Sequence, residues 1–446
     1  MMNRSKIVVG ILALLIGTLL GAQERPNVIV IMTDDQGTLD LNCYGAKDLY
    51  TPNFDRMAEN GVRFTQFYVG SSVCSPSRAT LLTGKSPPGA GLTGNSGKTN
   101  GLAIEQVTIA EMLKPEGYAT AHIGKWHLGK DQGRRPENQG FDYTFGHMEG
   151  CIDNYSHFFY WSGPNYHDLW ENGKEVYEDG YFFQDSLVEK AGRFINENKK
   201  DPFFIYFAIN LPHYPLQPDV KWLDHYASLP SPRKNYAACV STVDEKVGKL
   251  ISVLEDEGEL ENTLIIFLSD HGHSVEERTM WGGGFAGPYR GSKFGFFEGG
   301  LRVPAIMMGP GIPKGKVIQN SAMSMDFLPT IADYCGLSKL PEGVEGTSLR
   351  QIIHQDKPMR DTMYWLMRDG RWAVRHGAWK LLFKPRDDTK DYPRLDPIKD
   401  RYFLANLDLD NSESRNLVRE YPEKARELIE VYSKWQHALP VEPLEL

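Results

Sequence analysis

Basic residues do not outnumber acidic ones in this chain: 49 Lys and Arg stand against 58 Asp and Glu, a formal net charge of -9. That balance excludes the broad positive footprint of a nucleic-acid binder at whole-chain level, so no nucleic-acid partner is expected. Cysteine is sparse as well. Cys43, Cys74, Cys151, Cys239 and Cys335 follow no repeated spacing, which excludes a disulfide framework and a zinc ribbon. Two of the four other than Cys74 could pair in an exported protein, and the spacing does not choose between them. No apolar run reaches the ~20 residues needed to span a bilayer, so an integral membrane protein is not expected. Internal repeats and low-complexity segments are lacking too.

What is present begins with Arg4 and Lys6, an apolar run from Ile7 to Leu20, and then Gly21-Ala22-Gln23. That pattern predicts a signal peptide over residues 1–22 and an exported protein, periplasmic or secreted. No cysteine follows the run directly, which argues against a lipid anchor. With 446 residues the chain exceeds the roughly 250–300 at which single cores stop growing. Two units are expected, a large domain over 23–343 and a smaller one over 344–446.

The large unit carries four apolar runs that each empty into polar residues. Asn27 to Met32 meets Thr33-Asp34-Asp35-Gln36-Gly37, Ala119 to Ile123 meets Gly124-Lys125-Trp126-His127, Phe203 to Ile209 meets Asn210-Leu211-Pro212-His213, and Thr263 to Leu268 meets Ser269-Asp270-His271-Gly272. Runs of this kind are buried strands. Helices are expected around Ile109 to Lys114, capped by Thr108, and from about Tyr236 to Asp256. The fold class is therefore α/β, a large mostly parallel or mixed sheet sandwiched by helices, with the functional residues at the carboxyl ends of the strands. Gly129 to Gly180 and Ser274 to Gly300 read as long functional loops. Beyond Gly346, strands at Tyr364–Leu366, Trp372–Arg375, Trp379–Phe383 and Leu404–Leu407 and a helix over Pro422–Trp435 predict an α+β subdomain with an antiparallel sheet.

The segment Ser72-Val73-Cys74-Ser75-Pro76-Ser77-Arg78-Ala79-Thr80-Leu81-Leu82-Thr83-Gly84 reads as a nucleophile elbow. Ser72 to Ser77 are expected as a loop and Ala79 to Leu82 as a first helical turn, with Cys74 and Arg78 facing one pocket above a positive helix end, a setting for an anion. The adjacent carboxylates Asp34 and Asp35 repel unless a cation lies between them, and Asp270-His271 ends a second strand. Alone, Asp-Asp is often a turn or cap, and Lys125-Trp126-His127 a surface loop.

Residues 72–84 resemble the signature of the type I sulfatases of the alkaline phosphatase superfamily, whose Cys-x-Pro-x-Arg cysteine is oxidised to formylglycine (3-oxoalanine). Gly117-Tyr118-Ala119-Thr120-Ala121-His122-Ile123-Gly124-Lys125-Trp126-His127 resembles the family's second signature, and the similarity runs from about Asn27 to Cys335. The resemblance implies an alkaline-phosphatase-like fold and a sulfuric ester hydrolase of the bacterial polysaccharide or glycosaminoglycan type. By the same resemblance Cys74 is the modified nucleophile, and Arg78, Lys125, His127, His213 and Lys293 are catalytic. One divalent ion, usually calcium, is implied on Asp34, Asp35, position 74, Asp270 and His271. His271 departs from the asparagine most familiar there, and calcium prefers oxygen, so whether His271 is a ligand and which metal is bound stay open.

The implied reaction passes through a covalent sulfo-enzyme formed on the formylglycine hydrate. The resemblance also implies a maturing partner, a formylglycine-generating enzyme or an anaerobic sulfatase-maturating enzyme. Aromatic and basic loop residues, His157, Trp281, Tyr289 and Arg290 with Tyr155, Tyr160, Trp161 and Tyr166 around them, are expected to meet a sulfated carbohydrate substrate. The alternatives are a formylglycine-dependent phosphonate or phosphodiester hydrolase, and a non-catalytic glycan-binding protein on the same scaffold.

Overall fold

A computed structural model of the chain describes residues 25–439 apart from 98, 99, 132 and 161–163. The expected signal peptide over residues 1–22 and the loop aromatic Trp161 lie outside the described residues. The four apolar runs form adjacent strands, Asn27–Thr33, Ala119–Lys125, Phe203–Ala208 and Thr263–Ser269. They pair in parallel, with Asn27–Thr33 between Phe203–Ala208 and Thr263–Ser269, and Ala119–Lys125 on the far side of Phe203–Ala208. All four therefore deliver their carboxyl ends to one edge.

Among the described residues this sheet has ten strands. Tyr143–His147 extends it in parallel beside Ala119–Lys125, while Ala305–Met308 and Gly61–Phe64 add antiparallel pairings at the other side. The Gly129–Gly180 segment is thus not one long loop. It supplies Tyr143–His147 and the short pair Trp170–Glu171 and Lys174–Glu175 to the main sheet, and a separate hairpin of Phe158–Phe159 with Tyr166–His167.

Side-chain alternation along these strands divides the interior into two cores. Val28, Val30 and Met32 pack on one face with Phe204, Tyr206, Leu264 and Ile266. Ile29 and Ile31 pack on the other with Ala121, Ile123, Ile205, Phe267 and the helix Arg233–Asp256 through Val243, Val247 and Leu250. Both faces are covered, so the strands are apolar throughout rather than alternating. All five cysteines are free thiols. Among the described residues, no helix is long and apolar enough to cross a membrane.

The C-terminal strands Thr362–Leu366, Trp372–His376, Trp379–Phe383 and Tyr402–Asn406 form a separate antiparallel sheet. The helix Pro422–His437 closes it, with Tyr432 stacked on Trp372 at 4.0 Å between ring centroids. This sheet is tied to the large unit by a buried polar cluster. Lys380 Nζ lies 2.8 Å from Glu298 Oε1 and 3.1 Å from Glu413 Oε1, and Tyr68 donates to Glu298 at 2.6 Å. Burial works against the Glu298 charge, but Lys380, Arg302 and Arg375 outweigh it and bring its pKa down to about 2. Replacing Lys380 by Met leaves two carboxylates without their shared cation. The expected cost is about 3–5 kcal/mol, read as a lower Tm by calorimetry; an unchanged Tm would show that the cluster does not hold the units together.

Candidate active site

The helix carrying the cysteine begins earlier than the sequence suggests. It spans Cys74–Thr83 and ends at Gly84 in the left-handed conformation. Cys74 is in the first turn rather than in a preceding loop, because Pro76 is tolerated near a helix start, where amide protons have no intrahelical partner. Every residue of this helix is buried.

Around Cys74 the strand ends converge. Successive strand side chains point to opposite faces, and a φ of 62° at Asp35 breaks that alternation just past Thr33. The Asp35 amide donates to Asp270 Oδ1 at 3.1 Å, which fixes the turn. One donor atom each from Asp34, Asp35, Cys74 and His271 lies within 4.8 Å of the others, and all four residues are buried. Asp270 stands just behind this group. Its Oδ2 pairs with Arg78 Nη2 at 3.0 Å, and its Oδ1 is 3.6 Å from His271 Nε2.

Three cations neutralise the three carboxylates. Lys125 Nζ donates to Asp34 Oδ2 at 2.6 Å, Arg78 lies between Asp270 and Asp34 Oδ1, the latter at 3.5 Å, and Lys293 Nζ is 3.0 Å from each Asp35 oxygen. Burial opposes the Asp34 charge, but Lys125 and Arg78 overcome it and hold the carboxyl well below the usual range. For Asp35 burial prevails, raising its pKa to about 8 against the pull of Lys293 and His271. Burial also works against a Cys74 thiolate, yet Lys125, Lys293 and His271 bring that thiol down to about 6.

The imidazoles are oriented by carbonyls. His271 Nδ1 donates to the Gly272 carbonyl at 3.0 Å, leaving Nε2 at 3.3 Å from Cys74 Sγ. His213 Nδ1 donates to the Tyr214 carbonyl at 2.8 Å, leaving Nε2 facing Asp35 Oδ2 at 3.8 Å. An accepting carbonyl requires the proton on Nδ1, so both Nε2 lone pairs face the site when the rings are neutral. Burial holds His213 well below the usual imidazole range.

His127, at φ 53°, is held by its own carbonyl, which accepts from Ser75 Oγ at 2.6 Å and Ser96 Oγ at 2.9 Å. Its ring lies against Gly150. A methyl group there would stand 3.0 Å from Cε1 and 3.2 Å from Nε2. Gly150→Ala is expected to shift the ring by a few tenths of an ångström and lower kcat about tenfold, with KM little changed; wild-type kcat in that variant would remove His127 from the chemistry.

A cavity of about 430 Å³ opens above these groups. Cys74, His127, His213 and Lys293 form its floor, and Phe159, Tyr166, Tyr214 and Phe294 its walls, with Lys130, Glu149 and Glu276 among them. Lys130 Nζ lies 2.5 Å from Glu149 Oε1 and donates to the Tyr166 hydroxyl at 2.9 Å. Of these wall residues the sequence pointed only to Tyr166. Lys130, three residues past His127, carried a signal in its position, whereas Phe159, Glu149 and Phe294 come from separate segments and carried none.

None of the four residues expected at the substrate lines this cavity. Arg290 is buried in an ion pair with Asp387 at 2.6 Å and lies over Phe297, Tyr392 and Phe403. Tyr289 is half-buried beneath Arg302. His157 is buried and packs on Phe183 and His167. Trp281 is exposed, with Lys390 over its ring. Arg290 has its charge matched by Asp387 and His157 is enclosed in protein, so the structure places Arg290, Tyr289, His157 and Trp281 away from the cavity that holds Cys74.

Known proteins resemble this chain along most of its length. The family model described as Sulfatase matches residues 26–337. The chain belongs to the sulfatase family. This sulfatase is 33% identical over 392 residues to N-acetylgalactosamine-6-sulfatase of Canis lupus familiaris, covering 81% of the chain and 72% of the relative. It is 32% identical to arylsulfatase A of Homo sapiens over 413 residues, 85% and 78% of the two chains. It also superposes on the crystal structure of Ps i-CgsB in complex with k-i-k-neocarrahexaose with a TM-score of 0.81 at 30% identity, covering 92% and 93% of the two chains. The sulfatase is accordingly a sulfuric ester hydrolase on an alkaline-phosphatase-like fold.

Proposed function

We propose that this sulfatase is an exported enzyme that removes sulfate esters from a sulfated polysaccharide or its oligosaccharides, using a formylglycine made from Cys74. The carrying observation is a buried cysteine in a helix's first turn, ringed by Arg78, Lys125 and Lys293 at the floor of an aromatic-walled cavity. Names among the relatives favour carbohydrate: one acts on N-acetylgalactosamine 6-sulfate, and another was crystallised with a neocarrahexaose. Phe159, Tyr166, Tyr214 and Phe294 offer stacking surfaces to sugar rings.

The donor set suits a divalent cation. Asp34 and Asp35 converge with position 74, and Asp35 Oδ1 is buried without a hydrogen bond of its own although Lys293 lies close. Calcium, by the family resemblance, would be held by Asp34, Asp35 and position 74, with His271 beside it and Asp270 behind, and would add positive charge for the sulfate oxygens. Formylglycine at position 74, hydrated, would supply two hydroxyls on one carbon, one as nucleophile towards sulfur and the other to regenerate the aldehyde.

The remaining work falls to side chains already in place. Lys125 and Lys293 neutralise the ester oxygens, and Arg78 holds Asp34 and Asp270 in register. Lys293 Nζ, held protonated beside Asp35, presents a proton to the departing alcohol oxygen, the His213 Nε2 lone pair accepts the hydrogen bond of the alcohol so formed, and His127 accepts a proton from position 74. A formylglycine-generating or anaerobic sulfatase-maturating enzyme is the partner this chemistry requires.

The test is sulfate release from sulfated oligosaccharides and an aryl sulfate, beside aryl phosphate and phosphonate, by protein produced with and without a formylglycine-generating enzyme. Sulfate esters should be the faster substrates, and only matured protein should turn them over. Faster phosphonate or phosphodiester hydrolysis would select that alternative, and oligosaccharide binding without turnover would select the non-catalytic one.

A further inference from the structure

The residue that left the substrate site, His157, belongs to a second convergence of ligating groups. His157, His167 and Asp179 each bring one ligand atom within 4.8 Å of the others. Neither ring nitrogen of His157 has a hydrogen bond, nor does Nε2 of His167, and both rings are more than nine-tenths buried. The Tyr181 backbone lies near enough to the His157 ring to favour its charged form, but without hydrogen-bond geometry to either nitrogen. Two enclosed imidazoles with lone pairs left over are costly unless something binds them.

The surrounding structure prepares these groups. Phe158 pairs with His167 in the hairpin, so strict alternation would send the side chain of His157 to the face opposite His167. A φ of 60° at His157 breaks the alternation. A non-glycine residue held in that left-handed conformation is strained, and such strain is most often met at functional sites. His157 is pinned by two backbone bonds, its amide donating to the Asp153 carbonyl at 2.9 Å and its carbonyl accepting from the Asp168 amide at 2.9 Å, and two residues earlier the Tyr155 carbonyl accepts from the Gly180 amide at 2.7 Å. The last bond brings Asp179 alongside. His167 Nδ1 faces Glu175 Oε1 at 3.0 Å, so a proton on Nδ1 leaves Nε2 as the free lone pair. A carboxylate behind one ring nitrogen is the usual support of a metal-bound histidine. Tyr177 stacks on the same ring at 4.3 Å.

We propose that His157, His167 and Asp179 form a second metal site, separate from the catalytic cluster, that takes a nitrogen-preferring divalent cation of the zinc type. Two imidazoles and one carboxylate match zinc rather than calcium, which takes oxygen ligands. Tetrahedral zinc with bonds of about 2.0 Å needs donors roughly 3.3 Å apart. The exposed carboxylate of Asp179 is the group free to close that gap. Phe159 and Tyr166, at the next pair of the hairpin, are in the cavity wall. A cation on His157 and His167 would therefore brace the wall against which a substrate rests. This site stands whether or not the carbohydrate reading is right, because its test does not use activity.

Full-length protein stripped with a chelator, alongside Cys74→Ala protein whose catalytic cluster lacks its thiol, would be titrated with zinc alone in millimolar calcium, and bound zinc measured by calorimetry and elemental analysis. Cobalt titration adds a visible spectrum that reports nitrogen coordination. Wild type should take up one zinc per chain at this site. Asp179→Ala, an exposed truncation that leaves the fold intact, should weaken it at least tenfold, and His167→Gln should abolish it together with the cobalt bands. Absence of zinc uptake in calcium, or uptake unchanged in Asp179→Ala, would overturn the proposal even if His167→Gln fails to fold.

Discussion

Cys74→Ala is expected to fold with a Tm close to that of the wild type and to hydrolyse aryl sulfate at least about 10⁴-fold more slowly, the scale seen when a nucleophile is removed. The two outcomes come apart for a structural reason. Cys74 is small, and among the described residues its sulfur has hydrogen-bond partners in Asp34 at 3.9 Å and His271 at 3.3 Å. Losing it removes a thiol whose ionisation the neighbouring cations favour, and leaves the Arg78, Lys125 and Lys293 pairs unbroken. A Cys74→Ala protein with wild-type kcat would mean that another group attacks sulfur. Michaelis–Menten kinetics together with a thermal melt distinguish these results.

Arg78→Gln should behave differently, losing stability and activity together. Arg78 is buried and joins Asp270 at 3.0 Å to Asp34 at 3.5 Å, while its other nitrogen donates to the Lys125 carbonyl at 3.3 Å. Removing one partner of a buried pair leaves uncompensated charge, at an expected cost of about 3–5 kcal/mol. Asp34 would lose one of the cations that hold it ionised, and with it part of its readiness to bind metal. Turnover should fall by at least about 10³-fold. Arg78→Lys restores the charge but not the planar fork that reaches Asp270 and the Lys125 carbonyl at once. It should recover much of the stability and little of the rate. Equal recovery of both would reduce Arg78 to a point charge.

How far these positions could be read from the sequence depends on what kind of signal each residue left. Asn27–Thr33 and Thr263–Ser269 were legible because strands buried on both faces are apolar without interruption, and their polar ends mark where the site begins. The convergence of Asp34, Asp35, Cys74 and His271 follows from parallel pairing, which brings those ends to one edge. Tyr143–His147 was missed because five residues among glycines and aromatics look like loop; only pairing with Ala119–Lys125 makes them a strand.

The substrate residues misled for the opposite reason. Arg290 in a glycine-rich loop looks available, and only the distant Asp387 consumes its charge. His157 looks like a sugar contact, and only the hairpin register and its left-handed φ turn it toward His167 and Asp179. Such features depend on long-range partners, which local composition does not encode.

The most direct test of the account is the chemical state of residue 74 in active protein. Trypsin would release it in the peptide from Phe64 to Arg78. In protein produced with a formylglycine-generating enzyme, mass spectrometry should find that peptide with the thiol of Cys74 replaced by an aldehyde that a hydrazine probe captures. The captured fraction should rise in proportion to sulfatase activity across preparations of differing maturation. Full activity in protein whose Cys74 is entirely an unmodified thiol would contradict the account.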